Sequence, residues 1–220
     1  MSFLKVHDAL LAAYGPQRWW PAKSAFEVMV GAILTQNTAW TNVEKAIANL
    51  HAAKAMEAEI ILHAPHRTVA AWIRPVGYFN VKAKRLQNFC AWYVKHGGEK
   101  KLRRFDTVAL RHELLSVNGV GPETADDILL YAFHRPIFVI DAYTRRLFSR
   151  LRMAAGDESY DGLRGNIEET LRREARGKRE LLPLFNEYHA LIVRHGKDVC
   201  KTRPRCAECC LAQRCPAAAV

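Results

Sequence analysis

The sequence predicts an all-α protein, and three observations carry that expectation. Apolar residues recur at helical spacing along nearly the whole chain. Two segments, Ser24-x-x-Glu27 and Thr41-x-x-Glu44, have the form of capping boxes, in which a hydroxyl and a carboxylate close the first turn of a helix. Gly77, Gly97-Gly98 and Pro136 punctuate the periodic runs. Pro136 to Asp141 (PIFVID) has strand propensity, but no second strand is in sight to pair with it.

Taken in order, the first box opens AFEVMVGAILTQ, whose near-continuous apolar character suits a buried helix, and the second opens NVEKAIANLHAA. Further helices are expected at Met56–His63, Val69–Ile73, Val81–His96, Val108–Ser116, Glu123–Ala132, Ala142–Leu151, Gly162–Glu174 and Leu184–Gly196. Only Gly156–Gly162 and Gly177–Arg179 read as loose surface loops, and no internal repeat is evident.

Composition narrows the class. A chain of 220 residues, 50% hydrophobic, can build one large domain or two small ones. No apolar run reaches membrane-spanning length, and the N-terminus MSFLKVHDALLAAYG lacks a signal-peptide cleavage site, so a cytosolic protein without a membrane partner is expected. The formal charge of +11 points to a polyanion, nucleic acid above all. Lys82-Ala-Lys84-Arg85, Lys100-Lys101-Leu-Arg103-Arg104, Arg145-Arg146 and the set Lys201, Arg203 and Arg205 are the basic clusters. Singly each reads as a solvated face, and together as a backbone-binding surface.

Two motifs carry chemistry. Asn118-Gly119-Val120-Gly121-Pro122 breaks one helix, turns, and restarts another with Pro122 fixing φ. The new helix would aim backbone N–H groups outward as a seat for phosphate. Asp141 follows Glu123 by eighteen residues. Near the C-terminus, Cys200, Cys206, Cys209 and Cys215 form C-x5-C-x2-C-x5-C in a basic loop, which suits a metal or an iron–sulfur cluster. The two separated pairs usual for zinc are absent, and disulfides would need an oxidising compartment. Cys210 competes with Cys209 for the third position. Cys209 is preferred because it keeps the x2 and x5 intervals, which leaves Cys210 as a free thiol. Cys90, alone on an apolar helix face, reads as a buried small hydrophobe.

The hairpin followed by a lone aspartate, with the cysteine loop behind it, resembles the helix-hairpin-helix DNA glycosylases related to endonuclease III. The resemblance runs from about Trp19 to Cys215, although the first cysteine interval is one residue shorter than the common form. It implies a two-lobed fold: residues 24–135 as a six-helix barrel lobe carrying the hairpin, and residues 1–23 with 136–220 as the lobe of a C-terminal iron–sulfur cluster loop. It also implies a 4Fe–4S cluster, double-stranded DNA containing damaged bases as partner, and a monomer that is cytoplasmic, or nucleoid-associated in a bacterium. Such an enzyme takes its target base out of the duplex. Gln36, in Leu34-Thr35-Gln36-Asn37-Thr38, looks like the residue that fills the gap left behind. Tyr78, in Arg74-Pro75-Val76-Gly77-Tyr78, looks like a wedge against the opposite strand. Asn118, Gly119, Val120, Gly121 and Thr124 complete the implied DNA-binding set.

One departure decides the expected mechanism. The bifunctional members carry a lysine where this chain has Glu123, and a glutamate cannot form a Schiff base. A monofunctional reaction is therefore expected: Asp141 stabilises the oxocarbenium sugar and orients water, and an abasic site remains. Arg18-Trp19-Trp20-Pro21, with Trp40, is similar to the base pocket of the 3-methyladenine DNA glycosylase III branch, which also has glutamate in place of the lysine. Electron-rich indoles suit a cationic alkylated purine. Singly, Trp19, Trp20 and Trp40 would more commonly be core residues. Two alternatives remain open: a related glycosylase acting on an oxidised or mismatched base, and a non-catalytic damage-binding protein.

Overall fold

The computed structural model describes residues 1–20 and 22–218. Among them there are twelve α-helices and no strand. In chain order the helices are α1 (Phe3–Tyr14), α2 (Ala25–Leu34), α3 (Trp40–Ala52), α4 (Ala58–His63), α5 (His66–Trp72), α6 (Phe79–Lys95), α7 (Gly98–Leu102), α8 (Thr107–Leu115), α9 (Pro122–Asp127), α10 (Ala142–Arg150), α11 (Tyr160–Glu174) and α12 (Leu181–Asp198). A π-helical turn at Ile128–Ala132 continues α9 without a break. Among the described residues no helix is long and apolar enough to cross a membrane. The chain divides into two compact units, Ala22–Arg135 and Met1–Pro21 with Pro136–Val220.

The first unit is built around α2. Nearly every residue of that helix is buried, and α3, α6, α9 and the π turn pack on it. Ser24 caps it by accepting from the Glu27 backbone N–H at 3.1 Å. Only this half of the expected capping box forms. The buried Glu27 carboxylate turns away to His51 Nε2 at 2.8 Å and ties α2 to α3. The second box is a false signal. A turn closed by Thr38 N–H to Thr35 O delivers Ala39 in extended conformation, α3 begins at Trp40 with no side-chain cap, and Thr41 falls inside the helix.

The second unit packs α1 and α10 against α12. Phe3, Phe138, Phe148, Phe185 and Tyr188 form an edge-to-face cluster, and the Tyr188 hydroxyl donates to Phe3 O at 2.8 Å. Such ring pairs add about 0.5–1.5 kcal/mol each beyond the area they bury. PIFVID runs extended through this core without a sheet. Its buried backbone is satisfied by side chains, Phe138 N–H by Glu168 Oε1 (2.8 Å) and Ile140 N–H by the Tyr160 hydroxyl (3.2 Å). Helix α1, with Ser2 as its cap, was not expected from the sequence. Helix α12 starts three residues ahead of the expected Leu184, because Pro183 lies in its first turn, where no backbone N–H donor is needed.

Candidate functional site

The hairpin joins α8 to α9. Arg111 on α8 grips Asp126 on α9 through both carboxylate oxygens (2.7 and 3.3 Å), and Asp126 is fully buried. That bond clamps the two helices together, and Asp127 is buried beside it. The two glycines of the turn differ. Gly119 has φ +100°, and a Cβ there would lie against the Arg85 side chain, 2.8 Å from Arg85 Cβ. Gly121 has an ordinary φ of −94° and nothing within 4 Å of a built Cβ, and no side chain caps the helix that follows. Gly121 is thus the point where a foreign group can approach the backbone closely. Val120 is buried, whereas the exposed Asn118 accepts from Asn88 through O and Oδ1. Glu123 is exposed on the first turn of α9, where a negative charge suits the helix dipole.

The segments carrying Gln36 and Tyr78 both meet α6 within the same unit. Tyr78 is 78% exposed at φ 45°, immediately before α6, and stands clear of the fold. Gln36 is not at liberty in the same way. Its Nε2 donates to Gly119 O (2.9 Å) and to the buried Thr124 hydroxyl (3.0 Å), and its Oε1 accepts from Arg85 Nη1 at 2.5 Å. The Thr124 side chain therefore faces Gln36. Lys82, expected on a basic surface, is 2% exposed and corrects that reading. Its ammonium donates to Leu34 O (2.9 Å) and Val76 O (3.0 Å), pinning the roots of both loops. Burial, with Arg85 nearby, brings its pKa down to about 8. Lys84 stays exposed and lines an open groove with Arg85, Asn80 and Asn118. Trp40, half-buried, opens α3.

The other unit carries the lone aspartate. Asp141 is the N-cap of α10: its Oδ1 accepts from Thr144 N–H at 2.7 Å, and its Oδ2 lies 3.6 Å from His189 Nε2 on α12. Burial pushes its carboxyl up, but His189 and the Thr144 N–H outweigh burial and hold it below the usual carboxylate range, so it is ionised at neutral pH. Trp19 and Trp20 follow α1, half-buried, with rings 6.2 Å apart and edge-to-face. Gln17 anchors this segment by donating its N–H to Glu187 Oε1 on α12 at 2.6 Å. Pro21 lies outside the described residues.

Beyond α12, Cys200, Cys206, Cys209 and Cys215 line one cavity, and Cys210 does not. Arg150 staples this loop, donating to Cys200 Sγ (3.2 Å), Lys201 O (2.6 Å) and Thr202 O (2.9 Å). Leu211 N–H donates to Cys209 Sγ at 3.4 Å. Burial raises the Cys209 thiol, and the neighbouring Cys210, Cys200 and Cys215 raise it further against the lowering by the Leu211 N–H. Among the described residues no three His, Cys, Asp or Glu side chains are gathered to hold a single ion. A shared cavity with N–H and guanidinium donors aimed at sulfur suits four thiolates around a larger, polynuclear group.

Comparison with known proteins decides the family. Residues 30–173 match the family model for HhH-GPD superfamily base excision DNA repair proteins. The chain belongs to that superfamily. A Methanocaldococcus jannaschii protein, named as a candidate DNA repair glycosylase, is 45% identical over 214 residues, covering 96% of this chain and 94% of the relative. Endonuclease III of Sulfolobus acidocaldarius is 28% identical over 195 residues, covering 88% and 82%. Among solved structures, H. pylori 3-methyladenine DNA glycosylase bound to 1,N6-ethenoadenine superposes with TM-score 0.78 at 29% identity, covering 90% of this chain and 98% of that one. An endonuclease III–DNA complex gives TM-score 0.81 at 22% identity, with 98% and 94% covered, which speaks for the fold. The fold is that of the HhH-GPD glycosylases, and the family-level activity is DNA glycosylase action in base excision repair.

The sequence had not drawn attention to His189, Arg111 or Arg150, and it marked Arg85 only as part of a basic cluster. His189 carries no motif, and the arginines act through partners far away in the chain, Gln36, Asp126 and Cys200.

Proposed function

We propose that this HhH-GPD glycosylase is monofunctional and hydrolyses the N-glycosidic bond of alkylated purines such as 3-methyladenine in duplex DNA, leaving an abasic site. The observation that carries the reading is that Asp141 is buried and ionised; the hairpin, for its part, offers Glu123 where a lysine would be needed. One Asp141 oxygen is committed to the Thr144 N–H; the other supplies negative charge toward the developing oxocarbenium sugar and orients the attacking water. Lys82 has an amine with lowered pKa, yet it is buried and bound to two carbonyls, so it is a poor Schiff-base nucleophile. Glu123 is assigned to shaping the charge around the base. Trp19, Trp20 and Trp40, with Pro21, are each assigned to the extruded base, whose cationic ring favours indole faces. The backbone of Asn118, Gly119, Val120 and Gly121, with Thr124, Gln36 and Tyr78, is assigned to DNA. The likeness to the H. pylori 3-methyladenine DNA glycosylase supports this choice.

Cys200, Cys206, Cys209 and Cys215 would hold a 4Fe–4S cluster, which supplies four metal–thiolate bonds that tie the loop together. Cys210 stays outside that set.

The test is a panel of duplexes carrying 3-methyladenine, an oxidised pyrimidine, 8-oxoguanine or a mismatch, scored for released base. Release of the alkylated purine alone supports the reading. Release of an oxidised or mismatched base alone would move this enzyme to a different branch, and lesion binding without any release would make it a damage-binding protein.

A further inference from the structure

Tyr78, Lys82 and Arg85 fall at i, i+4 and i+7, one face of the start of α6. Each serves a different segment: Tyr78 is the exposed tip, Lys82 holds the roots of the two loops, and Arg85 reaches Gln36. The Arg85 stem packs where Gly119 lacks a side chain, and its guanidinium donates to Gln36 Oε1. The bonds to Arg85 and Gly119 O fix which end of the Gln36 amide is which, since a guanidinium only donates and a carbonyl only accepts. Both Nε2 hydrogens and one Oε1 lone pair are therefore spoken for.

We propose that Arg85 is a positioning residue: it holds Gln36 in one conformation against the hairpin, so that the gap-filling side chain is ordered before DNA arrives. The inference rests on the assignment of Gln36 to the gap left by an extruded base. An unrestrained glutamine loses rotamer freedom when it is ordered, and here that loss is taken on folding instead of on binding. Arg85 also lines the groove with Lys84 and Asn118, so its competing role is a direct phosphate contact. The two roles leave different signatures.

The experiment measures binding of Gln36→Ala, Arg85→Met and the double variant to a duplex with a tetrahydrofuran abasic analogue and to the same duplex intact, over a range of salt. Methionine keeps an aliphatic stem against Gly119, and thermal melting checks each fold. Arg85→Met is expected to reduce the preference for the abasic duplex about tenfold, which corresponds to about 1.4 kcal/mol. The double variant is expected to be no worse than Gln36→Ala, because both changes remove the same interaction. The salt slope on intact duplex is expected to stay unchanged. Additive losses, or a slope smaller by about one unit in Arg85→Met, would make Arg85 a phosphate ligand and overturn the proposal. A Gln36→Ala protein with undiminished preference would remove the assignment of Gln36 and this inference with it. Neither outcome depends on which lesion is excised, because no base is released in the assay.

Discussion

Replacing Asp141 by asparagine separates the residue's structural duty from its chemical one. Asparagine and aspartate are about equally good N-caps, so the bond from Thr144 N–H to Oδ1 can survive and α10 should still start where it does. The stability cost is then the lost attraction of a charge to the helix N-terminus, about 0.3–1 kcal/mol, together with the pairing to His189. The catalytic cost is larger. A unit charge about 4 Å from the oxocarbenium centre at an effective dielectric of about 20 contributes about 4 kcal/mol, or roughly a thousandfold in rate. The assay is single-turnover release of 3-methyladenine from a duplex, alongside thermal melting and lesion binding. Asp141→Asn should melt within a few degrees of wild type, bind the lesion and excise it roughly a thousandfold more slowly. Asp141→Ala should add the loss of the cap, about 1 kcal/mol of stability. An Asp141→Asn enzyme that excises at the wild-type rate would refute the reasoning, because Asp141 is the group assigned to the oxocarbenium sugar.

Three further outcomes follow from the geometry. Gly119→Ala should lose about 1–2 kcal/mol of stability through its positive φ and displace Arg85, whereas Gly121→Ala should melt nearly as wild type yet bind every duplex more weakly; melting curves with salt-titrated binding distinguish the two. Cys206→Ser should lose iron and acid-labile sulfide while Cys210→Ser retains both, and stoichiometric zinc in the wild-type protein would contradict the cluster assignment. Lys82 has a folded pKa of about 8, below its unfolded value, so the unfolded chain binds more protons above pH 8; wild type should gain stability relative to Lys82→Met as pH rises from 7 to 10, as denaturant midpoints would show.

Helix periodicity and the hairpin's Gly-Pro grammar were legible because they are local: α9 starts at Pro122, where the sequence places a turn ending in proline. The two capping boxes show the limit of local grammar. Ser24 caps α2, but the Glu27 carboxylate finds His51, a partner 24 residues on, and Thr41 is overridden by the turn at Thr35–Thr38. PIFVID satisfies its backbone through Glu168 and Tyr160, which no propensity could anticipate. Cys209, preferred over Cys210 on spacing, lines a cavity with Cys200, Cys206 and Cys215. Lys82 reads as one more surface cation in a basic run, and only three-dimensional packing reveals two carbonyls converging on its ammonium. Gln36 was legible as a loop residue, but its docking on the hairpin depends on Arg85, 49 residues away.

The measurement that bears most directly on the central claim is what the enzyme leaves behind at a duplex containing 3-methyladenine. The account predicts a released base and an intact strand that breaks only after alkali, with no protein–DNA adduct when borohydride is present throughout. Strand cleavage without alkali, or an adduct trapped by borohydride, would mean that an amine attacks the sugar and would contradict the assignment of Asp141 and Glu123 to a water-driven reaction.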